Sequence, residues 1–132
     1  MTEETKILLV DDERLVLRSM EKTLLRAGFD VETASNASEG LDLFQTAASE
    51  APFHIAILDL NMPNLEGNED ANAGLKLLSK LLKLEPDLPV IVLTAFDDVT
   101  RAKEAVSRGA QAYFVKGREA ELIKLVNDII NK

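Results

Sequence analysis

Four uninterrupted apolar runs, residues 7–10, 55–58, 90–93 and 112–115, stand out in a chain otherwise mixed in polarity. Runs of this length without polar alternation fit strands covered on both faces, the habit of a parallel sheet flanked by helices. The segment Val31-Glu32-Thr33-Ala34 alternates instead, which suits an edge strand. Between these segments the apolar residues fall at helical spacing: Leu15, Val16, Met20 and Leu24, then Leu41, Leu43 and Phe44, then Leu75, Leu77, Leu78, Leu81 and Leu82. Val99, Ala102 and Val106 mark a fourth helix, and Leu122, Ile123, Leu125, Val126 and Ile129 a fifth. Five βα units result, and the pattern predicts an α/β fold. Gly28 and Gly109 stand where helix C-termini take left-handed residues, and Asn36 with Glu39 forms a capping box ahead of the second helix.

Length and composition narrow the function classes. A chain of 132 residues matches one domain with a core of its own, so residues 1–132 are expected to form a single domain. The absence of cysteine removes disulfide frameworks, thiolate zinc sites and thiol nucleophiles, and accords with a cytoplasmic protein. No stretch has the apolar length of a signal peptide or membrane span, so a soluble protein without membrane contact is expected. With 23 acidic and 15 basic residues, a formal charge of −8, the chain lacks the positive field that binding to a phosphate backbone needs. Direct nucleic-acid binding is not expected.

Polar residues follow the apolar runs in a telling way, because open parallel sheets bind ligands beyond the carboxyl ends of their strands. The first strand runs into Asp11-Asp12-Glu13, the third into Asp59, the fourth into Thr94 and the fifth into Lys116. Carboxylates gathered about 4 Å apart repel by roughly 4 kcal/mol per pair at an effective dielectric near 20, and so call for a cation. Oxygen-only ligands favour a hard ion such as Mg²⁺, and Lys116 supplies a further positive charge. With that charge neutralised, the Asp59 carboxylate can attack a phosphoryl group to give an acyl phosphate, and Thr94 can donate a hydrogen bond to it. Each residue alone has a plainer role: Asp11-Asp12-Glu13 as a helix cap, Asp59 as a turn former, Thr94 as a cap of the fourth helix, Lys116 as a solvated cation. Their joint placement at one edge of one sheet is what points to a composite site.

Together, Asp11-Asp12, Asp59-Leu60-Asn61-Met62-Pro63, Leu93-Thr94-Ala95 and Lys116 resemble the receiver domains of bacterial response regulators, over almost the whole chain. The resemblance implies a flavodoxin-like, doubly wound sheet of five parallel strands in the order 2-1-3-4-5 with five flanking helices. It implies that Asp59 is the phosphoacceptor, that Asp11, Asp12, Asp59 and the Asn61 backbone carbonyl hold Mg²⁺, and that Thr94 and Lys116 hold the phosphoryl oxygens. Tyr113 becomes the aromatic whose side chain moves inward when Thr94 is drawn to the phosphate; its plainer role is that of an edge-strand tyrosine. The phosphodonor is then a histidine kinase or phosphotransfer protein. The responding surface is the fourth helix, fifth strand and fifth helix, approximately residues 99–130, facing a downstream protein or a fused output domain that lies outside this chain.

Two departures from the family pattern are evident. The fifth strand usually ends in Lys-Pro, often joined by a cis peptide, whereas this chain has Lys116-Gly117. A cis bond before glycine costs about 2.5–4 kcal/mol, so a trans bond and a differently shaped loop are expected. Residues 66–74 form an acidic, turn-rich stretch that reads as an inserted exposed loop before the third helix. Its Asn68, Asp70 and Asn72 mimic a calcium loop, but Ala73 and Ser79 occupy the positions that need glycine and glutamate. The sequon Asn36-Ala37-Ser38 is better explained by capping, and lone His54 by a structural role.

Three rival functions remain. A dehalogenase-like phosphohydrolase shares the ingredients but wants an aspartate two residues after the nucleophile, where this chain has Asn61. A flavodoxin-like FMN carrier would set its phosphate against Asp11-Asp12-Glu13. A pseudo-receiver would bind partners without phosphorylation. The expected protein is not an enzyme in the ordinary sense, since it catalyses only its own phosphorylation and slow dephosphorylation.

Overall fold

The computed structural model describes residues 5–60, 62–63, 69–70, 73–95 and 98–131. In chain order the elements are β1 (Lys6–Val10), α1 (Arg14–Arg26), β2 (Asp30–Ala34), α2 (Ala37–Ala47), β3 (Ile55–Asp59), β4 (Met62–Pro63), β5 (Glu69–Asp70), α3 (Ala73–Leu84), β6 (Val90–Thr94), α4 (Val99–Ser107), β7 (Ala112–Val115) and α5 (Glu119–Ile130). Five strands form one parallel sheet in the order β2-β1-β3-β6-β7, and β4 and β5 make a separate antiparallel pair. Numbering only the strands of the main sheet gives the expected order 2-1-3-4-5.

Three of the four unbroken apolar runs, those of β1, β3 and β6, follow from burial on both faces, whereas the run at 112–115 forms the edge strand β7 and is only partly buried. Alternate strand residues point to opposite sides. Leu8, Val10, Ala56, Leu58, Val90 and Val92 pack with Phe44 of α2, Leu77, Leu78 and Leu81 of α3, and Ala102 and Ala105 of α4. Ile7, Leu9, Ile55, Ile57, Ile91 and Leu93 pack with Met20 and Leu24 of α1 and Leu122 and Val126 of α5. Both faces being covered, no polar residue is tolerated inside β3 or β6 until Asp59 and Thr94 at their carboxyl ends. β2, at the sheet edge, keeps the alternation read from its sequence.

Local signals act as their chemistry requires. Asn36 accepts the Glu39 N–H at 2.8 Å and caps α2, while Glu39 turns to Ser35 Oγ at 3.4 Å, so only half of the expected box forms. Gly28 and Gly109 take φ of +96° and +119°. His54 is structural, its Nδ1 accepting the Lys6 N–H at 2.8 Å. Three expectations need correction. Leu15 and Val106 were placed on apolar helix faces, yet they are 83% and 39% exposed. Each lies on the solvent side of a short helix whose neighbours Met20 and Ala102 already fill the core. Of the stretch 66–74 expected as a loop, Glu69–Asp70 pairs with Met62–Pro63, Ala73 and Gly74 are buried in the first turn of α3, and residues 66–68 and 71–72 lie outside the described residues.

Candidate functional site

Strand register brings the polar residues together. Val10 pairs with Leu58 and Asp59 with Leu93, so Asp11 and Asp59 follow side by side, and Thr94 ends β6 opposite Val115. The site lies between β1 and β3, where the connections leave in opposite directions along the sheet, the place at which open α/β sheets form a crevice. Asp12, Glu13, Asp59, Thr94, Asp98 and Lys116 line a cleft of about 240 Å³ there. A larger cleft of about 530 Å³, beside Phe44, Phe53, His54 and Leu84, opens at the opposite end of the strands.

Charge is concentrated around Lys116. Its Nζ lies 3.2 Å from Asp59 Oδ2, 3.2 Å from Asp11 Oδ2 and 2.7 Å from Glu13 Oε1. Asp11, Glu13 and Asp59 each place a carboxylate oxygen within 4.8 Å of the others. One ammonium thus faces three carboxylates, and the excess negative charge is what a divalent cation would neutralise. Asp11 Oδ2 is buried and, apart from Lys116 Nζ at 3.2 Å, faces no donor among the described residues, a further fit to a cation. Burial pushes the Asp11 carboxyl above its ordinary value, outweighing the Glu13 N–H and the Lys116 charge that pull it down. For Lys116, burial works against the ammonium, but the Glu13 hydrogen bond and the charges of Asp59 and Asp11 prevail and its pKa is raised.

The acidic triplet is not a helix cap in the ordinary sense. Glu13 is the N-cap of α1 without a side-chain capping bond, and Asp11 Oδ1 accepts the Glu13 N–H at 2.9 Å, fixing the chain's turn out of β1. Thr94 does not cap α4 either. Its hydroxyl donates to the Asp98 carbonyl at 3.0 Å, with the Ala95 carbonyl at 3.2 Å. The backbone continues this link, since the Lys116 N–H donates to the Thr94 carbonyl at 3.0 Å.

Two residues beside the site carry no motif. Gly74 donates its N–H to the Leu60 carbonyl at 3.2 Å, and a Cβ there would lie 2.5 Å from Leu60 Cα and closer still to the Asp59 carbonyl oxygen. Glycine is what lets α3 rest against the end of β3. Arg101 of α4 donates from Nη1 to Asp98 Oδ2 at 2.7 Å and from Nη2 to the Leu60 carbonyl at 3.4 Å.

Of the residues singled out in the sequence, Asp11, Asp59, Thr94 and Lys116 converge at this cleft, and Asp12 lines it without joining the three clustered carboxylates. Glu13 supplies the third carboxylate of that cluster. Tyr113 lies on the edge strand β7, paired with Val92 and 37% exposed. Asn61 lies outside the described residues. The Lys116–Gly117 bond is trans, as expected, and Gly117 takes φ of +105°.

Comparison with known proteins gives a consistent picture. The family model of the response regulator receiver domain matches residues 7–127. The chain is 35% identical over 117 residues to the C4-dicarboxylate transport transcriptional regulatory protein DctD of Rhizobium meliloti (strain 1021), covering 88% of this chain and 23% of that protein. It is 37% identical over 111 residues to the response regulator MprA of Mycolicibacterium vanbaalenii, covering 84% and 43%. The chain therefore spans less than half the length of these relatives. Among solved structures, a response regulator receiver domain protein from Clostridium thermocellum superposes with a TM-score of 0.83 at 33% identity, covering 96% of this chain and 94% of that one. A CheY-like receiver domain protein from Methanospirillum hungatei JF-1 gives 0.81 at 27%, covering 98% and 95%.

Proposed function

The chain belongs to the response regulator receiver family, and on that premise we propose that it is a phosphorylation switch whose Asp59 carboxylate accepts a phosphoryl group from a histidine kinase or phosphotransfer protein. The observation that carries the reading is the approach of Lys116 Nζ to Asp59 Oδ2 at 3.2 Å inside an acidic cluster at the carboxyl edge of the sheet.

Transfer from a phosphohistidine forms an O–P bond to an Asp59 oxygen and breaks the P–N bond, whose electron pair leaves with the donor imidazole. Lys116, 3.2 Å from Asp59 Oδ2, would pair with the phosphoryl oxygens. Thr94 reaches them by releasing the Asp98 carbonyl, to which its single hydroxyl proton is now given. Asp11, Asp12 and Asp59, with the Asn61 carbonyl, would hold Mg²⁺, and Glu13 offers an oxygen to the same cluster. When bound, the ion supplies positive charge to the transferring group. The domain is not an enzyme acting on outside substrates; it promotes its own phosphorylation and slow dephosphorylation.

The output of such a switch is a change of surface, driven only by the difference in free energy between the phosphorylated and resting arrangements. The residues that would express it are Thr94, Tyr113 and the surface of α4, β7 and α5, which would face an output domain or a separate target protein. No described helix is long and apolar enough to cross a membrane, and on the family reading the site of action is the cytoplasm.

The test is incubation with Mg²⁺ and acetyl phosphate, read by intact mass beside an Asp59→Asn control. A single labile phosphoryl adduct, absent from the control, is the expected result. No adduct under conditions that label an established receiver would leave a pseudo-receiver acting through contacts alone.

A further inference from the structure

Arg101 is the residue near the site for which the phosphotransfer chemistry has no use. Its guanidinium spans two backbone segments that must respond to phosphorylation. Nη1 holds the Asp98 carboxylate at 2.7 Å, and Asp98 is the residue whose backbone carbonyl takes the Thr94 hydroxyl proton. Nη2 holds the carbonyl of Leu60, the residue directly after Asp59, which also receives the Gly74 N–H. The bridge therefore ties the start of α4 to the end of β3 while Thr94 is turned to α4. It does so incompletely: Arg101 Nε is buried and has no acceptor among the described residues. An unsatisfied buried donor makes an arrangement costly to keep, which brings its free energy closer to that of an alternative.

We propose that Arg101 is a positioning residue that, through Asp98 and Leu60, clamps the resting arrangement of the switch and so opposes capture of the phosphoryl group by Thr94. The proposal rests on the phosphoacceptor reading of Asp59. In the resting state the clamp fixes the Asp98 carbonyl where Thr94 can reach it. For Thr94 to donate to a phosphoryl oxygen that bond must break, and the held carbonyl then keeps only the longer hydrogen bond from the Ala102 N–H, at 3.4 Å. Without the guanidinium, Asp98 is free to turn toward water as Thr94 leaves, and the phosphorylated arrangement is easier to populate.

The experiment uses the full chain and titrates beryllofluoride, a phosphoryl mimic, at fixed saturating Mg²⁺ by calorimetry, with Mg²⁺ alone titrated in parallel. Arg101→Met should bind beryllofluoride about three- to tenfold more tightly than the wild type, with Mg²⁺ affinity unchanged. Asp98→Asn, which keeps the backbone carbonyl and removes the ionic partner, should shift affinity the same way, and it decides the matter should Arg101→Met not fold. In a Thr94→Ala background the gain from Arg101→Met should vanish, which a general loosening of the structure would not produce. Unchanged or weaker beryllofluoride binding by the folded variants, or a gain that persists without Thr94, overturns the clamp while leaving the phosphoacceptor assignment intact. Failure of the wild type itself to bind beryllofluoride overturns both.

Discussion

Asp11 lies fully buried beside Asp59 and Glu13, and Lys116 Nζ pairs with all three carboxylates. Its carboxyl is raised above the ordinary value, chiefly by burial. An acid whose pKa is higher folded than unfolded contributes most below the unfolded value, near 3.8, and that contribution is lost as pH rises through the folded value. Metal-free Asp11→Asn should therefore be more stable than the wild type at pH 7, by about 1 kcal/mol, with the advantage shrinking as the wild-type carboxyl protonates under acid. Urea unfolding at pH 7 and pH 4 measures this; an equal or greater advantage at pH 4 would contradict it. At Gly74 the sign is opposite. An alanine methyl would press on Leu60 Cα and the Asp59 carbonyl, so Gly74→Ala should cost about 1–3 kcal/mol and slow adduct formation by displacing the nucleophile. Asp11, Asp12, Asp59, Thr94 and Lys116 were legible as site candidates because each interrupts or follows an apolar run. Gly74 and Arg101 were not, since a close backbone approach and a bridge of 41 residues in sequence leave no local pattern. Glu13 was visible as part of the acidic triplet, but which of the three adjacent carboxylates approach Asp59 and Lys116 depends on the bend after β1.

Elements were more legible than their edges. Two-faced burial made β1, β3 and β6 conspicuous, and β2 betrayed its edge position by alternation. The β4–β5 pair escaped notice because two-residue strands have no periodicity to read. Turn chemistry allows quantitative tests. Asn36→Ala removes the acceptor for the Glu39 N–H and should cost about 1 kcal/mol, seen as a lower urea midpoint with unchanged slope. One element that departs from the family pattern is the turn after β7. Gly117 has φ of +105° and open space around its Cα, so Gly117→Ala meets no neighbour and its penalty is purely conformational, about 1–2 kcal/mol. Gly117→Pro is a harsher change, because proline fixes φ near −65° and the turn carrying Lys116 must rebuild. Restoring the usual Lys-Pro pair in isolation should thus slow phosphorylation of this chain, as read by adduct formation over time; an unchanged rate would show that Lys116 is placed independently of its successor.

For the molecule as a whole, fold and site pull against each other. The sheet gathers its negative charge at one edge, and the metal-free fold carries that repulsion in addition to a net charge of −8. A ligand that binds only the folded state adds RT ln(1 + [L]/Kd), about 2.7 kcal/mol at one hundred times Kd, which for a domain of this size raises the melting temperature by roughly 10 °C. Mg²⁺ should accordingly stabilise the wild type in a saturable way that sodium chloride of equal ionic strength does not reproduce. The same carboxylate that weakens the metal-free protein should be needed for this gain, so the order of stability ought to invert: Asp11→Asn melts above the wild type in chelator and below it in saturating Mg²⁺. A crossing of the two titration curves would tie the cost of the acidic cluster to its use. Parallel curves would mean that Mg²⁺ acts elsewhere and that Asp11 is only a buried carboxylate held by Lys116 and the Glu13 N–H.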